Sequence, residues 1–213
     1  MTMRILAAAL LAALPAPLLA QAAPAAVAEA ASPAEDLVPV AIETSLGRMV
    51  IALDRGHAPA TTANFLKYVD THRFDGETFY RAMHQEGGGG LIQGGILSDA
   101  RKLYKPVAHE PTSQTGLKHV AGAVSMANAG PGTATAGFFI VMSDIPGLDA
   151  GGPGGDANGF AVFGHVVEGM DVAKTIFDAP LSPTKGDGPL KGQMLDPPVK
   201  ISKVSRIDAP AAK

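Results

Sequence analysis

A segment of nearly bare backbone interrupts the apolar pattern of this chain of 213 residues. From Val124 to Val141 the sequence is VSMANAGPGTATAGFFIV, in which two apolar ends enclose Ala, Asn, Gly, Pro and Thr. The ends are typical of strands that bury their side chains, and the glycines and proline between them indicate loop backbone. The pattern therefore predicts a loop of small side chains and nearly bare backbone beside a buried sheet.

The sequence patterns of several common catalytic and cofactor sites are absent. The chain has no cysteine, which excludes disulfides, thiolate metal sites and thiol nucleophiles. The six histidines lack ligand spacings such as HExxH, and neither a GxGxxG nor a GxxxxGK[ST] phosphate loop occurs. Ser125 has no GxSxG setting, and the glycine-rich segment at 148–159 lacks the calcium-loop pattern. We therefore expect neither a metal nor any other cofactor.

Composition limits the class of protein further. Hydrophobic residues make up 46% of the chain and charged residues 17%, and the length suits one domain with a sizeable core. The formal net charge of −3 gives no electrostatic case for nucleic acid, which requires clustered Lys and Arg.

The N-terminus has the pattern of a secretory signal peptide. Arg4 supplies a short positive start, residues 5–14 form an unbroken apolar run, and Ala20-Gln21-Ala22 has the small-x-small pattern of a cleavage site. A retained membrane anchor is the alternative, but the run is shorter than the roughly 20 residues that span a bilayer as a helix. A lipoprotein would need a cysteine after the signal. The sequence predicts a periplasmic protein, with a signal peptide over 1–22 that is cleaved after Ala22 or Ala20.

The next segment has the composition of a linker. Residues 23–36 consist almost entirely of Ala, Pro and Glu, which cannot bury enough apolar surface to offset the entropy lost on ordering. We predict a flexible tether over 23–36, one folded domain over 37–207 and a disordered tail over 208–213.

The periodicity of the domain is that of an antiparallel sheet with few helices. Residues 40–44 and 49–53 alternate around a Ser45-Leu46-Gly47 turn, which predicts a hairpin. Helical spacing predicts one helix near Pro59 and a second over residues 169–180. Further short apolar segments, each bounded by Gly, Pro or Asp, are ETFYRAM, GLIQGGIL, HVAGAVSMANA, GFFIVMS, FAVFGHVVEG and PVKISKVSRI. Many short strands at close spacing favour an all-β fold in which the sheet closes into a barrel.

The order of these motifs resembles the cyclophilin family of peptidyl-prolyl cis-trans isomerases. The similarity rests on TFYR, LIQGG, VSMANAGPGT, GFFI, GLD and FAVFGHVVEGMDV, and it extends from about Val40 to Ile207. The chain looks most like the exported bacterial branch. The resemblance implies a closed eight-stranded antiparallel β-barrel capped by two α-helices.

The resemblance also implies a site. Arg81 in TFYR matches the catalytic arginine of the family, and Gln93 in LIQGG matches the glutamine that positions it. Phe139 resembles the floor of the pocket that receives the proline ring, and Leu148 matches a pocket leucine. The remaining expected substrate-binding residues are Leu91, Ala127, Asn128, Ala129 and Phe160. The backbone of 127–129 would pair with an extended peptide in a strand-like manner.

Several positions depart from the family pattern. The segment between Arg81 and Gln93 is about four residues longer than usual. Gly90 stands where the family has a pocket phenylalanine, Gly137 where a glutamine is common and Gly147 where many members have tryptophan. Leu91 takes the place of a methionine, and Phe160 falls on a position held by His or Tyr. The resemblance thus predicts a shallower or more mobile proline pocket.

Two functions follow from the resemblance. The first is a monomeric isomerase that accelerates the rotation of Xaa-Pro bonds in exported polypeptides, by stabilising the twisted amide without covalent chemistry. The second is a peptide-binding chaperone module of the same fold with little or no isomerase activity. Arg81 and Gln93 favour the enzyme, whereas the glycines at 90, 137 and 147 favour the chaperone. Either would bind proline-containing segments of unfolded or exported proteins, and neither would bind nucleic acid or, after signal removal, a membrane.

Overall fold

Eight antiparallel strands close into a barrel in a computed structural model, which describes residues 34–97 and 99–208. The order of neighbouring strands is β1-β2-β7-β5-β6-β4-β3-β8. The strands are β1 (Leu37–Thr44), β2 (Gly47–Asp54), β3 (Thr78–His84), β4 (Gly90–Gly95), β5 (Ala123–Met126), β6 (Phe138–Val141), β7 (Ala161–Glu168) and β8 (Met194–Arg206). The helices are α1 (Pro59–Asp70), the four-residue α2 (Thr112–Thr115) and α3 (Met170–Phe177), and 3-10 turns lie at Ala100–Lys102, Pro146–Leu148 and Gly188–Leu190.

The barrel is filled by side chains of alternating strand residues and of the two longer helices. Phe65 of α1 is buried, and its ring lies 5.3 Å from that of Phe138 in an edge-on arrangement and 5.2 Å from that of Phe163. Phe79 packs edge-on against Phe138 at 5.6 Å. Such aromatic pairs stabilise a core beyond the area that they bury. The interior is therefore a packed core rather than a channel, and any ligand must bind outside it.

A buried carboxylate fixes the start of α1. Glu110 accepts hydrogen bonds from the backbone N–H groups of Ala60 and Thr61 at 3.0 and 2.8 Å, and from the Thr61 hydroxyl at 2.6 Å. These amides are among those that a helix N-terminus leaves without an intrahelical partner, and a negative charge there also complements the helix dipole. This contact ties the long segment between β4 and β5 to the first turn of α1.

The predicted barrel with two main helices is confirmed, and the predicted hairpin is β1–β2, with Thr44 and Gly47 paired at its turn. The structure adds the single turn of α2, and β8 begins four residues before the predicted segment PVKISKVSRI. Asp36, assigned to the tether, forms a two-point ion pair with Arg55 at 2.7 and 3.0 Å.

The signal peptide, most of the tether and residues 209–213 lie outside the described residues. Within the described part of the chain, no helix is long and apolar enough to cross a bilayer.

Candidate active site

The expected catalytic and pocket residues lie in one row across the outer face of the sheet. Arg81 of β3 is the direct cross-strand partner of Gln93 of β4, Gln93 is the partner of Phe139 of β6, and Phe139 is the partner of Ser125 of β5. Residues opposite one another on neighbouring strands lie close enough for their side chains to interact. Sheet register therefore brings together residues that are up to 58 positions apart in the sequence.

Two amide oxygens hold the guanidinium of Arg81. Nη1 donates to Oε1 of Gln93 at 2.7 Å, and Nε donates to Oε1 of Gln193 at 2.8 Å. The Nε2 group of Gln93 in turn donates to the hydroxyl of Tyr80 at 2.9 Å. Because the N–H bonds of the guanidinium lie in its plane, two hydrogen bonds to fixed acceptors define the orientation of the whole group. Among the described residues no protein group accepts a hydrogen bond from Nη2.

The half-buried position of this network sets its electrostatics. Burial lowers the pKa of Arg81, because desolvation disfavours the charged guanidinium, while Tyr80 acts in the opposite direction. An arginine nevertheless stays protonated in proteins. Burial raises the pKa of the Tyr80 hydroxyl, which keeps it neutral at physiological pH. The site thus presents one permanent positive charge among neutral hydrogen-bonding groups.

An apolar cavity of about 200 Å³ lies beside the guanidinium. Its lining residues are Arg81, Met83, Leu91, Gln93, Ala127, Asn128, Phe139, Leu148 and Phe160. The volume is below the roughly 300–1,000 Å³ of sites for drug-sized ligands and suits a single side chain. Phe139 and Phe160 meet edge-on with ring centroids 5.5 Å apart. The structure therefore brings all but one of the predicted site residues around one cavity.

Ala129 is the predicted residue that does not line the cavity. It is exposed, and its N–H donates to the hydroxyl of Thr133 at 2.9 Å. The N–H of Ala127 is also occupied, because it donates to the carbonyl of Gly137 at 2.9 Å. Within residues 34–97 and 99–208, no backbone group pairs with the N–H or C=O of Asn128. Asn128 is thus the residue of this segment whose main-chain N–H and C=O both lack a partner among the described residues.

The backbone at Gly90 explains the missing pocket phenylalanine. Gly90 has a φ of +139°, and a Cβ atom there would lie 1.8 Å from the carbonyl oxygen of Met83. A side chain at this position is therefore incompatible with the β3–β4 pairing. Met83 supplies apolar surface instead: it is paired with Leu91 across the strands, and both line the cavity. Sequence reasoning missed Met83, although it lies two residues after Arg81 and so on the same strand face.

The other two glycines behave differently. A Cβ atom at Gly137 would meet only Ala127 Cβ at 3.3 Å and the Tyr80 hydroxyl at 3.9 Å. The buried Tyr80 hydroxyl thus occupies space beside Gly137 and accepts from Gln93. Gly147 lies in the 3-10 turn before Leu148 and does not line the cavity. Tyr80 and Gln193 were both missed by sequence reasoning, although Tyr80 is a direct neighbour of Arg81.

A buried Asp-His-Ser network supports the floor of the cavity. His119 Nδ1 lies 2.7 Å from an Asp149 carboxylate oxygen, and Nε2 lies 3.0 Å from Ser125 Oγ. The carboxylate can only accept, so Nδ1 bears the proton and Nε2 of the neutral ring accepts from Ser125. This is the arrangement of an acyl-transfer triad, but Ser125 is fully buried. The His119 ring instead stacks on Phe139, with a centroid separation of 5.9 Å and an interplanar angle of 14°.

This network predicts a pH dependence of folding stability. Burial lowers the pKa of His119 below its ordinary value of about 6.5, against the opposing effect of Asp149. Above that value the ring is neutral in both folded and unfolded chains. Below it the unfolded chain binds the proton more readily, so the free energy of unfolding should decrease as the pH falls from about 6.5 toward the folded pKa.

Urea unfolding between pH 8 and pH 5 measures this effect. We expect the wild type to lose stability across the interval and His119→Gln to lose less, although that variant should be less stable at pH 8 because its buried hydrogen bonds are disrupted. Equal slopes against pH in the two proteins would contradict the assignment to His119.

No group of three or more His, Asp or Glu side chains in the described part of the chain is arranged to hold a metal ion. The side chains that line the cavity offer a guanidinium, amides and apolar surface. They can bind a ligand by hydrogen bonds and by apolar contact.

Comparisons with known proteins agree on one family. A family model described as cyclophilin type peptidyl-prolyl cis-trans isomerase/CLD matches residues 39–206. A peptidyl-prolyl cis-trans isomerase of Streptomyces antibioticus is 36% identical over 141 residues, which cover 64% of this chain and 81% of that protein. Peptidyl-prolyl cis-trans isomerase A of Dickeya dadantii is 37% identical over 141 residues, with coverage of 64% and 70%. A Schizosaccharomyces pombe peptidyl-prolyl cis-trans isomerase is 34% identical over 158 residues, with coverage of 68% and 94%.

Solved structures share the fold. A cyclophilin type peptidyl-prolyl cis-trans isomerase of Cryptosporidium parvum superposes with a TM-score of 0.65 at 21% identity, covering 82% of this chain and all of that one. The same protein, crystallised in the presence of the dipeptide Ala-Pro, gives a TM-score of 0.63 at 22% identity, covering 80% of this chain and 99% of that one.

Proposed function

The chain belongs to the cyclophilin-type family of peptidyl-prolyl cis-trans isomerases, and from this premise we propose that it rotates Xaa-Pro bonds by stabilising the twisted amide without covalent chemistry. The observation that supports the proposal is the guanidinium of Arg81, held by two amide oxygens at the edge of an apolar cavity the size of one side chain.

The proposed mechanism follows from the chemistry of the amide. Rotation destroys amide resonance, and the barrier is roughly 18–20 kcal/mol. A catalyst must bind the twisted state more tightly than either planar state. In the twisted state the proline nitrogen becomes pyramidal and can accept a hydrogen bond. Arg81 would donate to it, and no proton is transferred because the guanidinium stays charged.

The proline ring would occupy the cavity over Phe139, with Leu91, Leu148, Phe160 and Met83 around it. The preceding residues of an extended peptide would pair with the main-chain N–H and C=O of Asn128 in the manner of an added strand. The solved relative crystallised with Ala-Pro supports a proline-containing peptide as the ligand. Partners are therefore proline-containing segments of unfolded polypeptides.

A chaperone module with little catalysis is the second candidate, and the absence of side chains at Gly90, Gly137 and Gly147 favours it. A protease-coupled assay on the purified protein separates the two, since uncatalysed exchange takes on the order of tens to hundreds of seconds. We expect the rate of cis-peptide consumption to rise in proportion to protein concentration and to be unaffected by a strong chelator. A rate that stays at the uncatalysed value would favour the chaperone.

We further propose that the protein works as a monomer in the periplasm on exported polypeptides. The relatives include bacterial and fungal proteins, so the support for export is the N-terminal sequence: the positive start, the apolar run over 5–14 and the Ala20-Gln21-Ala22 pattern.

Export predicts a defined mature N-terminus. Because cleavage is expected after Ala22 or Ala20, protein recovered from the periplasmic fraction should begin at Ala23 or Gln21. N-terminal sequencing of the fractionated protein measures this directly. An intact Met1 in the folded, active protein would contradict export by this signal.

A further inference from the structure

The side chain of Gln193 occupies a defined place between the active site and the loop that precedes β8. Its Oε1 accepts from Arg81 Nε at 2.8 Å, and its Nε2 donates to the carbonyl of Pro189 at 2.9 Å. A carbonyl oxygen can only accept, so the amine end of the Gln193 amide must face Pro189 and the oxygen must face Arg81. The orientation of the amide is therefore fixed, because the Arg81 guanidinium can only donate a hydrogen bond and the Pro189 carbonyl can only accept one.

The backbone of Gln193 is attached to the same strand as Arg81. The carbonyl of Gln193 accepts from the N–H of Ala82 at 3.0 Å, and the next residue, Met194, pairs with Arg81. The N–H of Gln193 donates to the carbonyl of Leu190 at 3.1 Å. Main-chain bonds on both sides thus fix the position from which the side chain reaches the guanidinium.

The two glutamines act on different nitrogens of Arg81. With Gln93 alone, the guanidinium would still be free to pivot about its Nη1 contact. The second bond at Nε removes this freedom and orients the plane of the group, because the N–H bonds of a guanidinium lie in its plane and two of them now point at fixed acceptors. Nη2, which has no acceptor among the described residues, then keeps both of its N–H groups for a substrate at the cavity.

We propose that Gln193 is a positioning residue for catalysis, which acts only through Arg81 by fixing the direction of its guanidinium. The inference rests on the proposed role of Arg81 at the twisted amide. It assigns a catalytic contribution to the loop between α3 and β8, a segment outside the motifs TFYR and LIQGG.

A double-mutant cycle tests the proposal. Gln193→Met keeps the length of the side chain but replaces the amide by a thioether, which is only a weak acceptor, and Gln114→Met makes the same change at an exposed glutamine of α2. Misplacing a catalytic group by 1 Å can cost about 10²-fold in rate, and Gln93 still holds Nη1, so we expect Gln193→Met to lower kcat/KM by about 10-fold. Peptide affinity should change by less than about two-fold, because the effect is confined to the transition state. Gln114→Met should have the wild-type rate.

The Arg81→Ala background distinguishes positioning from a structural role. If Gln193 acts through Arg81, Gln193→Met should have no further effect in that background. An equal fold-loss in both backgrounds, or a wild-type rate for Gln193→Met alone, would overturn the proposal while leaving the role of Arg81 intact. A normal rate for Arg81→Ala would instead refute the proposed mechanism and, with it, any role for Gln193 in catalysis.

NMR gives a readout that does not depend on activity. Hydrogen exchange at the Arg81 Nε–H should be slow in the wild type, where Gln193 accepts from it, and faster in Gln193→Met. Near-ultraviolet circular dichroism confirms that the variant is folded. Unchanged exchange at Nε in a folded variant would mean that the contact does not exist in solution, and the proposal would fail.

Discussion

Replacing Arg81 by alanine is expected to lower kcat/KM by about 10²–10³-fold, the usual loss when one donor aimed at a transition state is removed. Peptide affinity should decrease much less, because Arg81 contacts the planar ground state weakly if its partner is the pyramidal nitrogen. The comparison requires the catalysed exchange rate and the peptide dissociation constant of the same folded variant. Equal, small effects on both quantities would contradict a catalytic role.

Two further variants test whether the rate loss in Arg81→Ala is due to the loss of the guanidinium at this position. Arg81→Lys should also be slow, because an ammonium ion does not reproduce the planar fork that Gln93 and Gln193 hold. Arg48→Ala is the matched control: Arg48 lies on β2 and forms an exposed ion pair with Glu43, a type of contact that contributes about 0–1 kcal/mol to stability. Its exchange rate should equal that of the wild type.

The second large effect is expected at Phe138, which lies in the barrel interior. Its ring is fully buried and contacts those of Phe65, Phe74 and Phe79 at 5.3–5.7 Å. Phe138→Ala should lower the free energy of unfolding by about 3–5 kcal/mol, since it removes buried contacts and leaves a cavity. A native domain is stable by only about 5–15 kcal/mol, so this single change removes a large share.

Urea unfolding of the wild type and the variant measures this loss of stability, and equal m-values in the two proteins show that both unfold from an equally compact state. The more conservative Phe138→Leu should be destabilised less. A loss below about 1 kcal/mol for Phe138→Ala would mean that the ring is not part of a packed core.

The neighbouring Phe139 should respond differently. Its side chain faces the outer surface and lines the cavity, so Phe139→Ala is expected to weaken peptide binding and to slow exchange together, as the proline ring occupies the cavity in every state. Two adjacent phenylalanines thus test two faces of one strand.

The fold was largely predictable from local pattern. The β1–β2 hairpin, α1 and α3 all follow from the spacing of apolar residues around Gly47, Pro59 and Val172, because strand and helix periodicities are local properties. The early start of β8 was not predictable in this way. Residues 196–198, Asp-Pro-Pro, are exposed and have the composition of a loop, and only pairing with β3 extends the strand to Met194.

The motifs identified candidate site residues, whereas contacts between distant parts of the chain could not be predicted. Arg81, Gln93 and Phe139 were candidates from the sequence, and the structure places them in one row across the sheet. Gln193 could not be found, since it lies 112 positions from Arg81 in a segment without a motif. Gly90 could be located but not interpreted, because its backbone conformation and the compensating Met83 depend on the β3–β4 pairing.

The most direct test of the central claim is exchange spectroscopy on an Xaa-Pro peptide mixed with the purified wild-type protein. NMR reports both the bound fraction and the cis-trans exchange rate in the same sample, so binding and catalysis are separated without a coupling protease. The proposed mechanism predicts that the exchange rate rises with the bound fraction, far above the uncatalysed rate of about one event in tens to hundreds of seconds. A peptide that binds but exchanges at the uncatalysed rate would contradict it and identify the protein as a proline-peptide chaperone.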